Sequence, residues 1–300
     1  MPPRNALPVH VSRWVWPGIA ALSFLWGGAY LVIEIALRGF VPVLVVLGRV
    51  TLAAVFLLPF ALKRGVLPAL KQQPGWVLLT VLLQATAPLL LLTIGQHLLS
   101  PGLAGIIIGS QPLFVALLAL RFDPDERPRG RSGLFGLLLG FAGLVLLFGV
   151  DLSGGLRAFF GGVLLVGAAL CYACGALLIH NKLTFAEPLG IATIAMLVSV
   201  VVLLIPGLLV VPDARPSLAS GGALLAIGIV FTGVTLNLNY SLIKYAGPAR
   251  ATLAFYLSPG VAVVLSWLLL GERISWSTGL GLAAVVAGSA LAAANRVRAE

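Results

Sequence analysis

Charge is what this chain lacks. Only 9% of its 300 residues are Asp, Glu, Lys or Arg, while 60% are hydrophobic; soluble domains carry roughly 25% charged and 45–50% apolar residues. A water-soluble fold of this size has too little interior to hide so much apolar surface. A bilayer removes the need, because about 20 consecutive apolar residues span its hydrocarbon core as a helix. Polar alternation is missing as well. Strands of a membrane barrel alternate apolar and polar residues over about 10 positions, whereas the apolar runs here are longer and continuous. Each spanning segment must satisfy its own backbone, and helices do so.

Catalytic and metal-binding material is equally short. The three histidines, His10, His97 and His180, lie in separate end segments. Cys171 and Cys174 form a CxxC pattern inside an apolar run, where they read as packing residues rather than a redox or metal pair. No HExxH, P-loop, Ser–His pair or carboxylate pair occurs. No enzyme, cofactor or metal site is therefore expected, and the lack of a nucleotide motif argues against ATP-driven work. The first apolar run is as long as a full span and has no small-residue cleavage site, so it reads as a first helix rather than a signal peptide.

What is present is ten apolar runs, at about 14–37, 42–62, 75–96, 102–120, 133–150, 159–180, 187–210, 221–243, 248–270 and 275–294. Gly, Pro and charge fill the breaks. The net charge of +10 would point to nucleic acid in a soluble chain; here the basic residues sit in those breaks and report topology. With the N-terminus inside, the inner segments hold fourteen of them, including Lys63, Arg64, Arg127, Arg129, Arg131 and Lys182, while the outer ones hold Arg38, Arg157, Arg215 and Arg273. That bias places both termini, tails 1–13 and 295–300, in the cytoplasm.

The two halves repeat at a shift of about 147 residues. Ser100-Pro101 with Pro112 in span four matches Gly247-Pro248 with Pro259 in span nine, and Trp26-Gly27-Gly28-Ala29 meets Tyr172-Ala173-Cys174-Gly175. Five spans per half invert the second copy, giving repeats over 14–150 and 151–294. Inverted repeats that rock about a midplane site are a transporter device. The expected fold class is all-α membrane protein, ten transmembrane helices in two inverted five-helix repeats. A channel or facilitator for small solutes is the alternative, and a membrane-embedded enzyme a weaker one.

The pattern resembles the drug/metabolite transporter superfamily and its EamA group. The resemblance is carried by Trp26-Gly27-Gly28 in mid-span one, Arg49 in span two, Pro112 and Pro259, which are expected to break the last-but-one helix of each half, and Leu269-Leu270-Gly271-Glu272-Arg273 before a Gly-rich last helix. It covers about 14–294. One departure is the inner loop after span four, Arg121-Phe122-Asp123-Pro124-Asp125-Glu126-Arg127, where a Gly-Glu-Arg-like turn belongs. The resemblance implies a central cavity and export of amino acids or other small metabolites across a bacterial-type inner membrane.

Polar residues inside spans are the site candidates, because a polar group facing lipid is expensive. Glu34 and Arg49 lie at similar depth and are expected to pair, or to hold a substrate amine and carboxylate; Glu34 is also where proton coupling would act. Gln84 lies with Thr80 and Pro88 on one face of span three. Gln111 beside Pro112 and Ser258 beside Pro259 sit where a proline frees a helix carbonyl. Thr232, Thr235 and Asn239 line one face of span eight. Trp26, Tyr30 and Tyr172 form an apolar wall, and Tyr256 a gate. The bland reading of each is helix packing. Glu272 and Arg273 read as a turn and cap. Glycines 133, 136, 140 and 143 of span five and 279, 281 and 288 of span ten read as close-packing faces, between the halves or in a weak dimer. The expected partners are a small-molecule substrate and lipid, with no nucleic acid.

Overall fold

The computed structural model describes residues 9–122, 127–128, 130–148, 155–210, 216–246 and 253–297, and every regular element among them is helical. Helix α1 runs Val9–Leu37 and α2 Pro42–Arg64. A short turn at Pro68–Gln72 leads to α3 (Pro74–Val81), a π turn (Leu82–Thr86) and α4 (Ala87–His97), which form one rod. Next come α5 (Pro101–Ile108), α6 (Gln111–Phe122) and α7 (Gly130–Leu146). The second half holds α8 (Leu156–Lys182) and α9 (Pro188–Leu209). Then follow α10 (Leu218–Gly228), a second π turn (Ile229–Val234), α11 (Thr235–Ala246), α12 (Leu253–Leu270) and α13 (Trp276–Val297).

Local chemistry sets these limits. Proline opens α2, α3, α5 and α9, where its missing N–H costs nothing. Ser100 caps α5 through its side chain. Gly65, at φ 61°, ends α2 just after Lys63 and Arg64, whose charges suit the helix C-terminus.

Among the described residues, seven rods are long and apolar enough to cross a membrane; Gly130–Leu146, Ala254–Leu270 and Trp276–Ala292 are shorter apolar helices. The expected spans fall on these elements, with differences at the ends. Helix α1 starts at Val9, inside the expected tail, and the end of span five at 149–150 and the start of span nine at 248–252 lie outside the described residues. Large apolar side chains such as Val145, Val201, Ile205 and Leu209 stand more than two-thirds exposed. Such a belt suits hydrocarbon rather than water.

The halves are sewn together. Helix α1 packs on α12, α2 on α9, α4 on α8, α5 on α12 and α7 on α13. At the α7–α13 seam the small residues meet as expected: a Cβ on Gly136 would stand 2.6 Å from the Ala292 nitrogen, and one on Gly143 2.8 Å from Ala284 Cβ. Backbones this close gain dispersion and admit no larger side chain.

Candidate binding site

Arg49 is the centre of the site. It lies two turns into α2 among buried Val46, Val50 and Ala53, and is itself only 9% exposed. Its Nε donates to Thr232 Oγ1 at 2.7 Å. Thr232 belongs to the second π turn, and its hydroxyl donates onward to the Ile227 carbonyl at 2.6 Å. Thr235 does the same to Val230 at 2.9 Å. Both reach back five residues, the spacing of a π turn, so these two hydroxyls hold the widened turn in place.

Tyr30 and Tyr172 lie within electrostatic reach of Arg49. Tyr30 rests against Gly105 of α5, and its carbonyl accepts from Gln96 Nε2 at 2.6 Å. Gln84 sits in the first π turn with Oε1 2.9 Å from the place of a Gly175 Cβ, one turn along α8 from Tyr172. Structure thus brings Tyr30, Arg49, Tyr172 and Thr232 together and sets Gln84 nearby. The extra residue of the π turn breaks the simple face expected for Thr80, Gln84 and Pro88. Both Thr80 Oγ1 and Gln84 Oε1 are buried with no hydrogen-bond partner among the described residues.

Trp26 stacks at 4.2 Å on Phe255 of α12. Gly27 lies so close to α12 that a Cβ there would stand 2.6 Å from the Ser258 carbonyl, and a Cβ on Gly28 would stand 3.1 Å from the Phe231 ring of the second π turn. The Trp-Gly-Gly run is therefore where α1 wedges between α12 and that turn. Ser258 is buried, and its hydroxyl reaches the Phe255 carbonyl at 3.4 Å, the one that Pro259 leaves without a donor. Pro259 sits inside a continuous helix, while Pro112 follows a true break at Gly109–Ser110. The expectation that both prolines break their helices holds for the first alone. Gly109 packs on the Pro259 ring, so the two proline regions touch. Gln111 opens α6 half-buried at that break; Tyr256 and Asn239 stand half-buried on α12 and α11, beyond Thr232 in the chain.

Glu34 does not pair with Arg49. It lines a cavity of about 600 Å³ at one end of the bundle with Arg38, Gln96, His97, Ser100 and Arg157. Arg49 turns inward to Thr232 instead, because α2 packs on the π turn. A second cavity, of about 760 Å³, opens at the opposite end around Gln73, Trp76, Asn181 and Lys182, with Lys182 Nζ 5.2 Å from the Trp76 ring centre.

Two residues carry more than the sequence reading gave them. Gln96 is 1% exposed and holds the Tyr30 backbone; an amide inside an apolar run was the available signal. Glu272 follows Gly271, whose φ of 69° turns the chain back at the end of α12. Its Oε2 lies 2.8 Å from the place of a Gly102 Cβ, over the start of α5. Burial pushes the Glu272 carboxyl above its ordinary 4.5, opposed by Ser100, the Gly102 N–H and Ser266, while Glu34 nearby raises it further. Cys171 and Cys174 are free thiols, and no group of His, Cys, Asp or Glu among the described residues is set to hold a metal.

Known proteins share both the sequence and the shape. An inner membrane transporter of Escherichia coli K12, YedA, whose own role is uncharacterized, is 30% identical over 89% of this chain and 86% of its own length. The uncharacterized transporter YoaV of Bacillus subtilis is 24% identical over 90% of this chain and 94% of its own. A protein of known crystal structure shares the fold at a TM-score of 0.68, with 20% identity, over 96% of this chain and 99% of that one. The model of the EamA-like transporter family matches twice, at residues 14–149 and 159–294. With both halves matched and apolar helices packed around a buried polar centre, the chain belongs to the EamA-like transporter family and is a multi-pass membrane transporter.

Proposed function

We propose that the protein is a secondary transporter that exports amino acids or related small polar metabolites, by alternating access between inverted halves 14–150 and 151–294. The reading includes ten spans and cytoplasmic ends. The observation that carries it is the exchange symmetry of the packing. Replace each helix of the first half by the one about 147 residues on, and the main packing pairs map onto one another. Helix α1 on α12 becomes α8 on α5–α6, and α1 on α10–α11 becomes α8 on α3–α4. Helix α2 on the second π turn becomes α9 on the first. The π turns themselves, 82–86 and 229–234, begin 147 residues apart, the same shift as the paired prolines. Two like bundles meeting at such seams can rock about a common centre, and the polar groups of that centre sit on the π turns and on the helices packed against them.

The test is flux. The purified chain in liposomes is loaded with labelled amino acids, with and without a pH gradient, and efflux is followed. Saturable efflux supports the reading, and acceleration by the gradient adds proton coupling. Unsaturable current in a planar bilayer replaces transport by a channel.

A further inference from the structure

The charge at Arg49 has no counter-ion among the described residues. The described carboxylates are Glu34, Glu187 and Glu272, and all three lie at bundle ends: Glu34 on a rim cavity, Glu187 at the start of α9, Glu272 past the end of α12. The groups acting on Arg49 are two phenols, Tyr30 and Tyr172. Of its five N–H donors, Nε is taken by Thr232, while Nη1 is buried and bonds to nothing among the described residues. An arginine keeps its proton even there. A buried, half-satisfied cation is costly in protein or in hydrocarbon, so its persistence calls for a group that supplies the missing charge when the protein works.

We infer that Arg49 is the receptor for the carboxylate of the transported solute, its unpartnered Nη1 donating to the carboxylate while Thr232 holds Nε. The inference rests on the transporter reading and narrows it to carboxylate-bearing solutes. The planar fork matches a carboxylate in a way no ammonium can. The phenols of Tyr30 and Tyr172 can donate to the same oxygens. Thr80 Oγ1 and Gln84 Oε1, buried acceptors without partners on the rod against α8, suit the ammonium of an α-amino acid. A simple carboxylate and an α-amino acid thus share the Arg49 contact, and an amine without a carboxylate is repelled.

Binding separates these cases. The full chain in detergent is titrated at constant ionic strength with matched probes, and binding is read from intrinsic tryptophan fluorescence and thermal shift. The probes are phenylalanine, 3-phenylpropionate, 3-phenylpropionamide and phenethylamine, with alanine, propionate, propionamide and ethylamine as the short set. At least one carboxylate probe is expected to bind about 10- to 150-fold more tightly than its amide, the factor for one charge-assisted bond. Arg49→Gln should abolish that preference and Arg49→Lys keep part of it. Phenylalanine ahead of 3-phenylpropionate in the same site identifies a zwitterion as the solute; the reverse identifies a plain carboxylate. The inference is overturned if no carboxylate outbinds its amide, if phenethylamine binds as well, or if the preference survives in folded Arg49→Gln. Flux of the preferred probe in liposomes keeps the two readings apart. Carboxylate-selective binding without flux removes transport and leaves the site, and flux without carboxylate preference removes the site alone.

Discussion

Thr232→Val and Arg49→Met should shift stability in opposite directions. Thr232 Oγ1 accepts the bond from Arg49 Nε and donates to the Ile227 carbonyl. Valine keeps the shape and removes both. Arg49 is then left buried with no bond to any described side chain, and a hydrogen bond to a charged group contributes about 1.5–3 kcal/mol. An ordinary bond between membrane helices averages only about 0.6 kcal/mol, so the charge decides the size. In Arg49→Met the charge itself disappears, and Thr232 still has Ile227. Replacing even a buried ion pair by well-packed apolar side chains is often neutral or stabilising by about 1–4 kcal/mol, and a charge without a counter-ion is costlier still to bury. Reversible unfolding in mixed micelles, titrated with a denaturing detergent, measures both. Thr232→Val is expected to destabilise by about 1.5–3 kcal/mol and Arg49→Met to leave stability equal or higher while removing transport. In the Arg49→Met background, Thr232→Val should cost only the ordinary bond of about 0.6 kcal/mol, which makes the pair strongly non-additive. The reasoning fails if Thr232→Val is neutral in the parent protein, or if Arg49→Met unfolds it; the second result would make Arg49 a structural tie rather than a receptor.

Three further outcomes follow from the packing and the charges. Gly105→Ala puts a Cβ 2.5 Å from Ala262 Cβ between α5 and α12 and should cost about 1–3 kcal/mol by overpacking, whereas Gly75→Ala, with nothing within 4 Å, should leave the thermal midpoint unchanged or higher. The Glu272 carboxyl titrates above its ordinary 4.5 because burial disfavours its charged form, so its contribution to stability is full below that value and is lost as pH rises through the raised one. Glu272→Gln should flatten that loss in a series of melting curves, and an unchanged pH profile would contradict it. In a Cys171→Ala/Cys174→Ala background, Arg38→Cys should react with an impermeant thiol reagent from outside intact cells and Lys182→Cys only after permeabilisation. The reverse pattern would turn the protein over in the membrane.

Much of this protein was legible before any coordinates. A low charge fraction and long apolar runs already force helices, because hydrocarbon offers the backbone no other partner. The repeat of prolines at one spacing, and the glycines of α7 and α13, belong to the same class of local or periodic signal, and the close seam at Gly136 and Gly143 realises it. Tertiary structure alone decided which polar side chains meet. Glu34 and Arg49 lie at comparable depth along their helices, yet rotation about each axis sends one to a rim cavity and the other to Thr232, 183 residues away in sequence. The π turns at 82–86 and 229–234 were equally hidden, since one extra residue per turn leaves no mark in hydropathy while it swings every following side chain to a new face. Apolar burial is additive and shows in composition; the pairing of a single guanidinium with a single hydroxyl depends on where two distant helices come to rest.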